Sequence, residues 1–160
     1  MSLQDELVRV RTGTPADLPV LRGLFRRSSL SNEGDREALL ANPHTLEFSG
    51  EGLAEGRTRV AVGVDGTIVG FTTSVALGRS VQEVEDMFVD PVRQRRGIGR
   101  QLMQDLVTTA RRAGVARIEV TANPHAEAFY RSVGFVRTHG LEMEFGPASR
   151  MELTLAGDVS

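Results

Sequence analysis

The segment Val89-Asp90-Pro91-Val92-Arg93-Gln94-Arg95-Arg96-Gly97-Ile98-Gly99 decides the fold, because it joins an apolar strand to an amphipathic helix. The strand is predicted over residues 81–89. The helix is predicted from apolar residues spaced four apart, namely Ile98, Leu102, Leu106 and Ala110. A helix start carries unpaired N–H groups and a partial positive charge, and glycines let an anion approach the backbone. The turn therefore predicts a site for a pyrophosphate-like anion.

Arginines add positive charge around this turn, at Arg93, Arg95, Arg96 and Arg100. Other phosphate-binding loops fit poorly. A P-loop needs a lysine, and the chain contains none. A Rossmann fingerprint needs a third glycine or alanine where Leu102 stands. Taken alone, the turn is equally compatible with a plain strand–helix connection on an arginine-rich surface.

Outward from the turn, the sequence predicts the order β-α-α-β-β-β-α-β-α-β-β. Upstream, the predicted elements are a strand at 8–11, a helix opened by Thr14-Pro15, a helix at 36–40, a loop at 46–57 and a hairpin of 59–64 with 67–76. Downstream, they are a strand at 115–121, a helix opened by Asn123-Pro124, and late strands at 135–137 and 141–145, with 150–155 pairing to them. Antiparallel hairpins followed by one β-α-β crossover predict a mixed, mostly antiparallel sheet flanked by helices.

The composition limits the classes of protein that fit. A chain of 160 residues with 40% hydrophobic residues is predicted to form one domain, residues 1–160. It has no cysteine, so disulfides and a catalytic thiol are excluded, and its three histidines show no metal-ligand spacing. A net charge of -2 argues against nucleic-acid binding. Without a membrane-length apolar stretch or a secretory segment, a cytoplasmic location is expected.

Two sequence signatures together resemble one family. The turn resembles the Arg/Gln-x-x-Gly-x-Gly/Ala motif of the GNAT (GCN5-related N-acetyltransferase) superfamily, with Gln94, Gly97 and Gly99 at its fixed positions. Asn123, followed by Phe129-Tyr130 and Gly134-Phe135, resembles the family's second signature. With the N-terminal helices and hairpin, the resemblance covers nearly the whole chain. It implies the GNAT, or acyl-CoA N-acyltransferase, fold, with a central sheet splayed at the cofactor site.

The resemblance also implies acetyl-CoA as the acyl donor. It implies that backbone N–H groups hold the pyrophosphate, from Gln94, Arg95, Arg96, Gly97, Ile98, Gly99 and Arg100. The backbone at Met87, Phe88 and Val89 is expected to pair with the pantetheine arm like an added strand. Asn123, Phe129 and Tyr130 complete the expected cofactor contacts. Asn123 is also a good N-cap before Pro124, and the two roles are compatible.

Acyl transfer to an amine needs a base for the amine, a donor to the developing oxyanion and an acid for the departing thiolate. The resemblance makes Tyr130, the only tyrosine, the candidate acid, and the alternative is a packing role on an apolar helix face. A backbone N–H of Phe88 or Val89 could stabilise the oxyanion. Glu83 is the first candidate base, Glu85 the second and Glu119 the third. Each glutamate is also compatible with an ordinary solvated strand face.

The sequence therefore predicts an N-acetyltransferase that moves an acetyl group to a primary amine by direct attack in a ternary complex. The acceptor is a small-molecule amine or a protein N-terminal or side-chain amine, and residues 18–56 and 138–149 are expected to select it. One alternative is a non-catalytic acyl-CoA-binding regulatory domain of the same fold. Another is a nucleotide-binding module. The edge of the late hairpin could pair across a homodimer.

Overall fold

The computed structural model describes residues 5–155, which form seven β-strands and five α-helices. The strands are β1 (Arg9–Thr12), β2 (Thr58–Val62), β3 (Ile68–Ala76), β4 (Val81–Val89), β5 (Arg117–Ala122), β6 (Val136–Met143) and β7 (Gly146–Thr154). The helices are α1 (Leu18–Leu30), α2 (Glu33–Ala41), α3 (Glu51–Ala54), α4 (Ile98–Arg112) and α5 (Pro124–Ser132).

The strands form one sheet in the order β1-β2-β3-β4-β5-β7-β6. The pair β4–β5 is parallel, whereas β1–β2, β2–β3, β5–β7 and β6–β7 are antiparallel. The prediction of a mixed, mostly antiparallel sheet flanked by helices is confirmed. The parallel register joins Val81–Val84 to Arg117–Val120, and β4 continues for five further residues, 85–89.

The chain divides into two compact units. Of the described residues, the first unit contains 5–73 together with Asp86–Leu102, and the second contains Ser74–Glu85 and 103–155. Strands β3 and β4 and helix α4 each pass from one unit into the other. The prediction of a single domain stays a prediction.

The core of the first unit lies on both faces of β2 and β3. On one face Leu21 and Leu24 of α1 pack with Val60 and Phe71, and all four side chains are fully buried. A cluster of four phenylalanine rings extends this layer, with centroid distances of 5.0–5.6 Å between neighbours, and consists of Phe25, Phe48, Phe71 and Phe88. On the other face Ala61 and Val69 pack against Ile98 and Leu102 at the start of α4.

The two faces of the sheet in the second unit differ sharply in polarity. Ile118, Val120 and Ala122 of β5 are buried, and the intervening residues Arg117, Glu119 and Thr121 lie on the opposite face. Tyr130 and Phe135 of the same unit are also nearly inaccessible.

The late strands differ from the prediction. In place of the two strands predicted at 135–137 and 141–145, the structure has one strand, β6 (Val136–Met143), which forms a hairpin with β7. Thr138, His139 and Gly140, which lie between the two predicted strands, continue β6 as a sheet edge with a register shift between Arg137 and His139. The predicted loop at 46–57 contains the short helix α3, which buries Gly52 and Leu53.

The remaining boundaries lie within a few residues of the prediction. Thr14 is an N-cap as expected, but it begins a 3-10 turn, Pro15–Asp17, that leads into α1. None of the helices in residues 5–155 combines the length and apolar composition needed to cross a bilayer.

Candidate active site

The turn between β4 and α4 begins at Asp90, which is held by two hydrogen bonds. The Asp90 N–H donates to the Val69 carbonyl at 2.8 Å, and the Asp90 carboxylate accepts from the Val92 N–H at 3.2 Å. The first intrahelical bond of α4 runs from the Gln101 N–H to the Gly97 carbonyl, at 3.1 Å. The N–H groups of residues 98–100 therefore come before the first intrahelical hydrogen bond of α4. No acceptor for these N–H groups is found within residues 5–155.

Two residues with positive φ curl the backbone immediately before the helix. They are Arg95, at 65°, and Gly97, at 75°. Arg95 is the only residue other than glycine with positive φ in the described chain. Left-handed residues within a turn are typical of concave backbone sites that bind anions through N–H groups. The arrangement fits a pyrophosphate at the helix start.

The end of β4 is held by packing on both faces. Met87 and Val89 pack with the cluster that contains Ile98, whereas Phe88 lies among the phenylalanine rings, 5.0 Å from the Phe25 ring and 5.6 Å from the Phe71 ring. The side chains at 87–89 are thus committed to the core. The expected pairing of the backbone at 87–89 with the pantetheine arm stays a prediction.

Three glutamates stand side by side in the second unit, and we call them the glutamate row. The strand register places Glu83 of β4 opposite Glu119 of β5, and Glu119 opposite Glu152 of β7. Like charges directly opposite each other destabilise a sheet. Two arginines on the same face offset this repulsion, Arg150 and Arg117.

Arg150 links the first two members of the row. Its guanidinium donates to the Glu83 carboxylate at 2.6 Å, to the Glu119 carboxylate at 2.7 Å and to the Thr121 hydroxyl at 2.9 Å. Its side chain is only 17% exposed. Arg117 contacts Glu119 at 2.7 Å. The hydrogen bond from Arg150, and next the one from Arg117, holds the pKa of Glu119 below its ordinary value.

Replacing Glu119 by glutamine is expected to reduce the stability of the protein at neutral pH. The same substitution should have little effect on stability at acidic pH. Because the pKa of Glu119 is lower in the folded state, its charge stabilises the fold above the ordinary glutamate pKa, about 4.3. That contribution is lost as the pH falls through the lower, folded pKa. Glu119→Gln should cost about 1–2 kcal/mol near neutrality. Thermal unfolding from neutral to acidic pH measures the effect.

The exposed Glu37 of α2 provides the matched control. Glu37→Gln should leave the melting temperature unchanged over the same pH range. A constant difference between Glu119→Gln and the wild type at every pH would contradict the proposed role of the carboxylate charge.

The second signature forms the start and the buried face of α5. The Asn123 side chain accepts from the Ala126 N–H at 2.9 Å, so the N-cap expected from Asn-Pro is confirmed. Tyr130 is 5% exposed and lies edge-on to Phe129 and Phe135, with ring centroids 5.2 and 5.3 Å away. The ring is thus a packing element, and the role of the Tyr130 hydroxyl as the acid stays a prediction.

A groove of about 430 Å³ lies between the start of α5 and the β6–β7 hairpin. Pro124 and Glu127 line one side of it, and Arg137, Gly140 and Ser149 line the other. The Arg137 Nε donates to the Ser149 hydroxyl at 3.0 Å. The hairpin side of the groove includes part of the 138–149 segment that is expected to select the acceptor.

The two units hold different parts of the predicted site. The first unit contains Met87, Phe88, Val89 and all residues of the turn, 94–100. The second contains Glu83, Glu85, Asn123, Phe129 and Tyr130. Sequence analysis missed Arg150, because a lone arginine on a late strand gives no local signal. No cluster of three or more His, Asp or Glu side chains suited to a metal occurs among the described residues.

Comparison with the sequence profiles of known protein families shows which family the chain belongs to. Residues 33–155 match the sequence profile of the acetyltransferase (GNAT) domain. The chain therefore belongs to the GNAT acetyltransferase family, as the two signatures indicate.

Two curated relatives are similar to this chain over about half of its length. N-alpha-acetyltransferase RimI of Mycobacterium tuberculosis is 49% identical over 76 residues, which is 45% of this chain and 48% of RimI. Streptothricin acetyltransferase of Streptomyces lavendulae is 40% identical over 86 residues, 51% of this chain and 46% of that enzyme. The matched stretches thus span about half of the length of each of these two relatives.

A solved structure confirms the fold. The PaiA N-acetyltransferase of Thermoplasma acidophilum, in complex with coenzyme A, superposes with a TM-score of 0.74 at 16% identity and covers 92% of this chain and 99% of its own. The predicted GNAT fold is confirmed by this likeness.

Proposed function

We propose that this protein transfers an acetyl group from acetyl-CoA to a primary amine in a ternary complex. The observation that carries the proposal is the start of α4, where the N–H groups of residues 98–100 have no acceptor within residues 5–155. Such a helix start binds phosphate groups. Membership of the GNAT family and a solved neighbour that holds coenzyme A support coenzyme A as the source of those phosphates.

Acetyl-CoA supplies an activated thioester when it is bound. The turn at 94–100 binds the pyrophosphate through backbone N–H groups. The backbone of Met87, Phe88 and Val89 would align the pantetheine arm, and an N–H of Phe88 or Val89 would stabilise the oxyanion that develops on the thioester oxygen. Asn123 and Phe129 complete the contacts of the donor. Tyr130 donates the proton of its Oη to the departing sulfur, since a phenol with an ordinary pKa of about 10 suits an alkyl thiolate.

A glutamate of β4 takes the proton of the attacking amine. The Glu83 carboxylate accepts a hydrogen bond from Arg150 at 2.6 Å, whereas Glu85 is exposed. Glu119 is the least suited of the three candidates, because two arginines lower its pKa and so weaken it as a base.

Replacing the catalytic base by glutamine is expected to shift the pH profile of the rate to alkaline pH. A base variant should lose about 10²–10⁴-fold in kcat/KM near neutrality and should regain activity as the pH rises. Glu83→Gln and Glu85→Gln are measured over the same pH range, and the base is the residue whose loss shifts the profile to alkaline pH.

Glu119→Gln is the matched control for Glu83→Gln, since each variant removes one carboxylate from Arg150. An effect of lost ion pairing would appear in both variants. If neither Glu83→Gln nor Glu85→Gln shifts the profile, neither glutamate is the base.

The acceptor is proposed as a primary amine, either of a small molecule or of a protein N-terminus or side chain. RimI acts on α-amino groups and streptothricin acetyltransferase acts on streptothricin, as their names state. The groove beside the β6–β7 hairpin is a candidate contact for the acceptor. A homodimer and a cytoplasmic location stay predictions.

Calorimetric titration tests the donor directly. Coenzyme A and acetyl-CoA are expected to bind and to raise the melting temperature, and ATP and NAD to do neither. Stabilisation by ATP or NAD without binding of coenzyme A would favour a nucleotide-binding module. Binding of acetyl-CoA without turnover would favour a non-catalytic regulatory domain.

A further inference from the structure

Residues 5–8, which we call the strap, lie along the phosphate-binding turn before β1 begins. The Glu6 N–H donates to the Arg96 carbonyl at 2.8 Å, and the Gln101 side chain donates to the Glu6 carbonyl at 2.6 Å. The same Gln101 side chain accepts from the Val8 N–H at 3.2 Å. The strap is thus tied to the turn and to the first turn of α4 at several points within the first unit.

The side chain of Glu6 forms ion pairs with two of the four arginines. One carboxylate oxygen is 2.6 Å from an Arg93 nitrogen, and the other is 3.4 Å from an Arg96 nitrogen. The Glu6 side chain is 15% exposed and that of Arg93 24%, so this contact is largely shielded from water. Arg93 also lies 3.8 Å from the Asp65 carboxylate. A short, shielded ion pair of this kind is costly to break.

The other two arginines of the turn, Arg95 and Arg100, differ in this respect. Both are exposed, and neither forms an ion pair or a side-chain hydrogen bond with any residue in 5–155. Arg95 has the positive φ of the turn, and Arg100 lies in the first turn of α4. Their guanidinium groups are therefore available to an anion without displacing any carboxylate of residues 5–155.

We infer that Glu6 divides the four arginines into two functional pairs. Glu6 holds Arg93 and the Arg96 side chain as structural supports of the turn. Arg95 and Arg100 supply the side-chain contacts to the pyrophosphate, beside the backbone N–H groups. Glu6 is accordingly a positioning residue, and it acts through the arginines that it withdraws from the ligand. This inference rests on the proposed binding of coenzyme A.

Four matched Arg→Gln substitutions in one turn test the division. Arg95→Gln and Arg100→Gln should each weaken coenzyme A binding by about tenfold, because each removes a charge-assisted hydrogen bond. Neither should change the melting temperature of the ligand-free protein. Arg93→Gln should lower that melting temperature by about 3–6 °C and weaken binding less than Arg95→Gln does. Arg96→Gln should follow Arg93→Gln with a smaller effect, because its ion pair is longer and its side chain is half exposed.

A double-mutant cycle of ligand-free stability isolates the role of Glu6. Glu6→Gln retains the backbone contacts of the strap and removes only the charge. Arg93→Gln should therefore destabilise the wild type but have little further effect in the Glu6→Gln background. Additive effects of the two substitutions would show that the ion pair carries no coupling, and would overturn the inference.

Titration with 3′-dephospho-coenzyme A distinguishes the pyrophosphate from the other phosphate group. The losses in Arg95→Gln and Arg100→Gln should persist with this ligand. The division is wrong if the losses vanish, or if Arg93→Gln weakens binding as much as they do with no change in ligand-free stability. If the wild type does not bind coenzyme A at all, the proposed function fails, whereas the Glu6–Arg93 cycle still reports on the strap.

Discussion

Alanine at Gly97 is expected to weaken coenzyme A binding by roughly 10- to 100-fold. Gly97 has a φ of 75°, which costs a residue with a side chain about 1–2 kcal/mol. A Cβ at this position would also stand 2.8 Å from the Cγ of Asp5 in the strap. In the ligand-free variant, the turn should relax to a less strained backbone conformation. Binding would then have to restore the strained shape that aims the N–H groups of residues 98–100, and the affinity falls accordingly.

Gly56 provides a matched control for this substitution. It has a φ of 73°, and no atom lies within 4 Å of a Cβ built there. Gly56→Ala should carry a similar backbone strain but should bind coenzyme A like the wild type. Calorimetry of both variants, with circular dichroism to confirm folding, gives the comparison. If Gly97→Ala binds coenzyme A with wild-type affinity, the turn does not hold the phosphates.

Phenylalanine at Tyr130 is expected to lower kcat by about 100-fold or more while KM for acetyl-CoA stays close to the wild-type value. The substitution keeps the ring that packs against Phe129 and Phe135, at centroid distances of 5.2 and 5.3 Å, and removes only the hydroxyl. The departing thiolate would then have to leave without a proton. The loss should appear in kcat because the hydroxyl acts in the chemical step rather than in binding the donor.

The pH dependence of kcat separates an acid from a packing residue. The wild-type rate should decline at alkaline pH as the acid loses its proton, and Tyr130→Phe should lack that decline. Phe135→Leu, which loosens the same cluster but retains the hydroxyl, should lower the melting temperature and keep the decline. An unchanged kcat in Tyr130→Phe, measured with an acceptor for which chemistry is rate-limiting, would show that Tyr130 is not the acid.

Much of the fold is predictable because strong local signals decide it. The Asp65-Gly66 turn, the four-residue spacing from Ile98 to Ala110 and the Asn123-Pro124 cap each specify an element without help from distant residues. The late hairpin was predicted less well. Its strand β6 is an exposed edge with polar residues at 138–140, where propensity favours a turn and pairing with β7 decides otherwise.

The site shows a similar division between local and long-range information. The turn at 94–100 is local, so its start, its glycines and its position before α4 follow from the sequence. The partners of its charges are not local. Glu6 is 87 residues from Arg93, and Glu83 is 67 residues from Arg150. No pattern in a single sequence pairs residues so far apart, and their roles become visible only in the folded chain.

Acetyl-CoA turnover with a broad panel of primary amines tests most directly whether the protein transfers an acetyl group to an amine. The panel should include polyamines, amino acids, amine-bearing antibiotics and peptides with different N-termini, with thiol release and product mass measured together. At least one amine should gain an acetyl group in step with the release of coenzyme A. Tight binding of acetyl-CoA with no acetylated product from any amine would contradict the proposed acetyltransferase function.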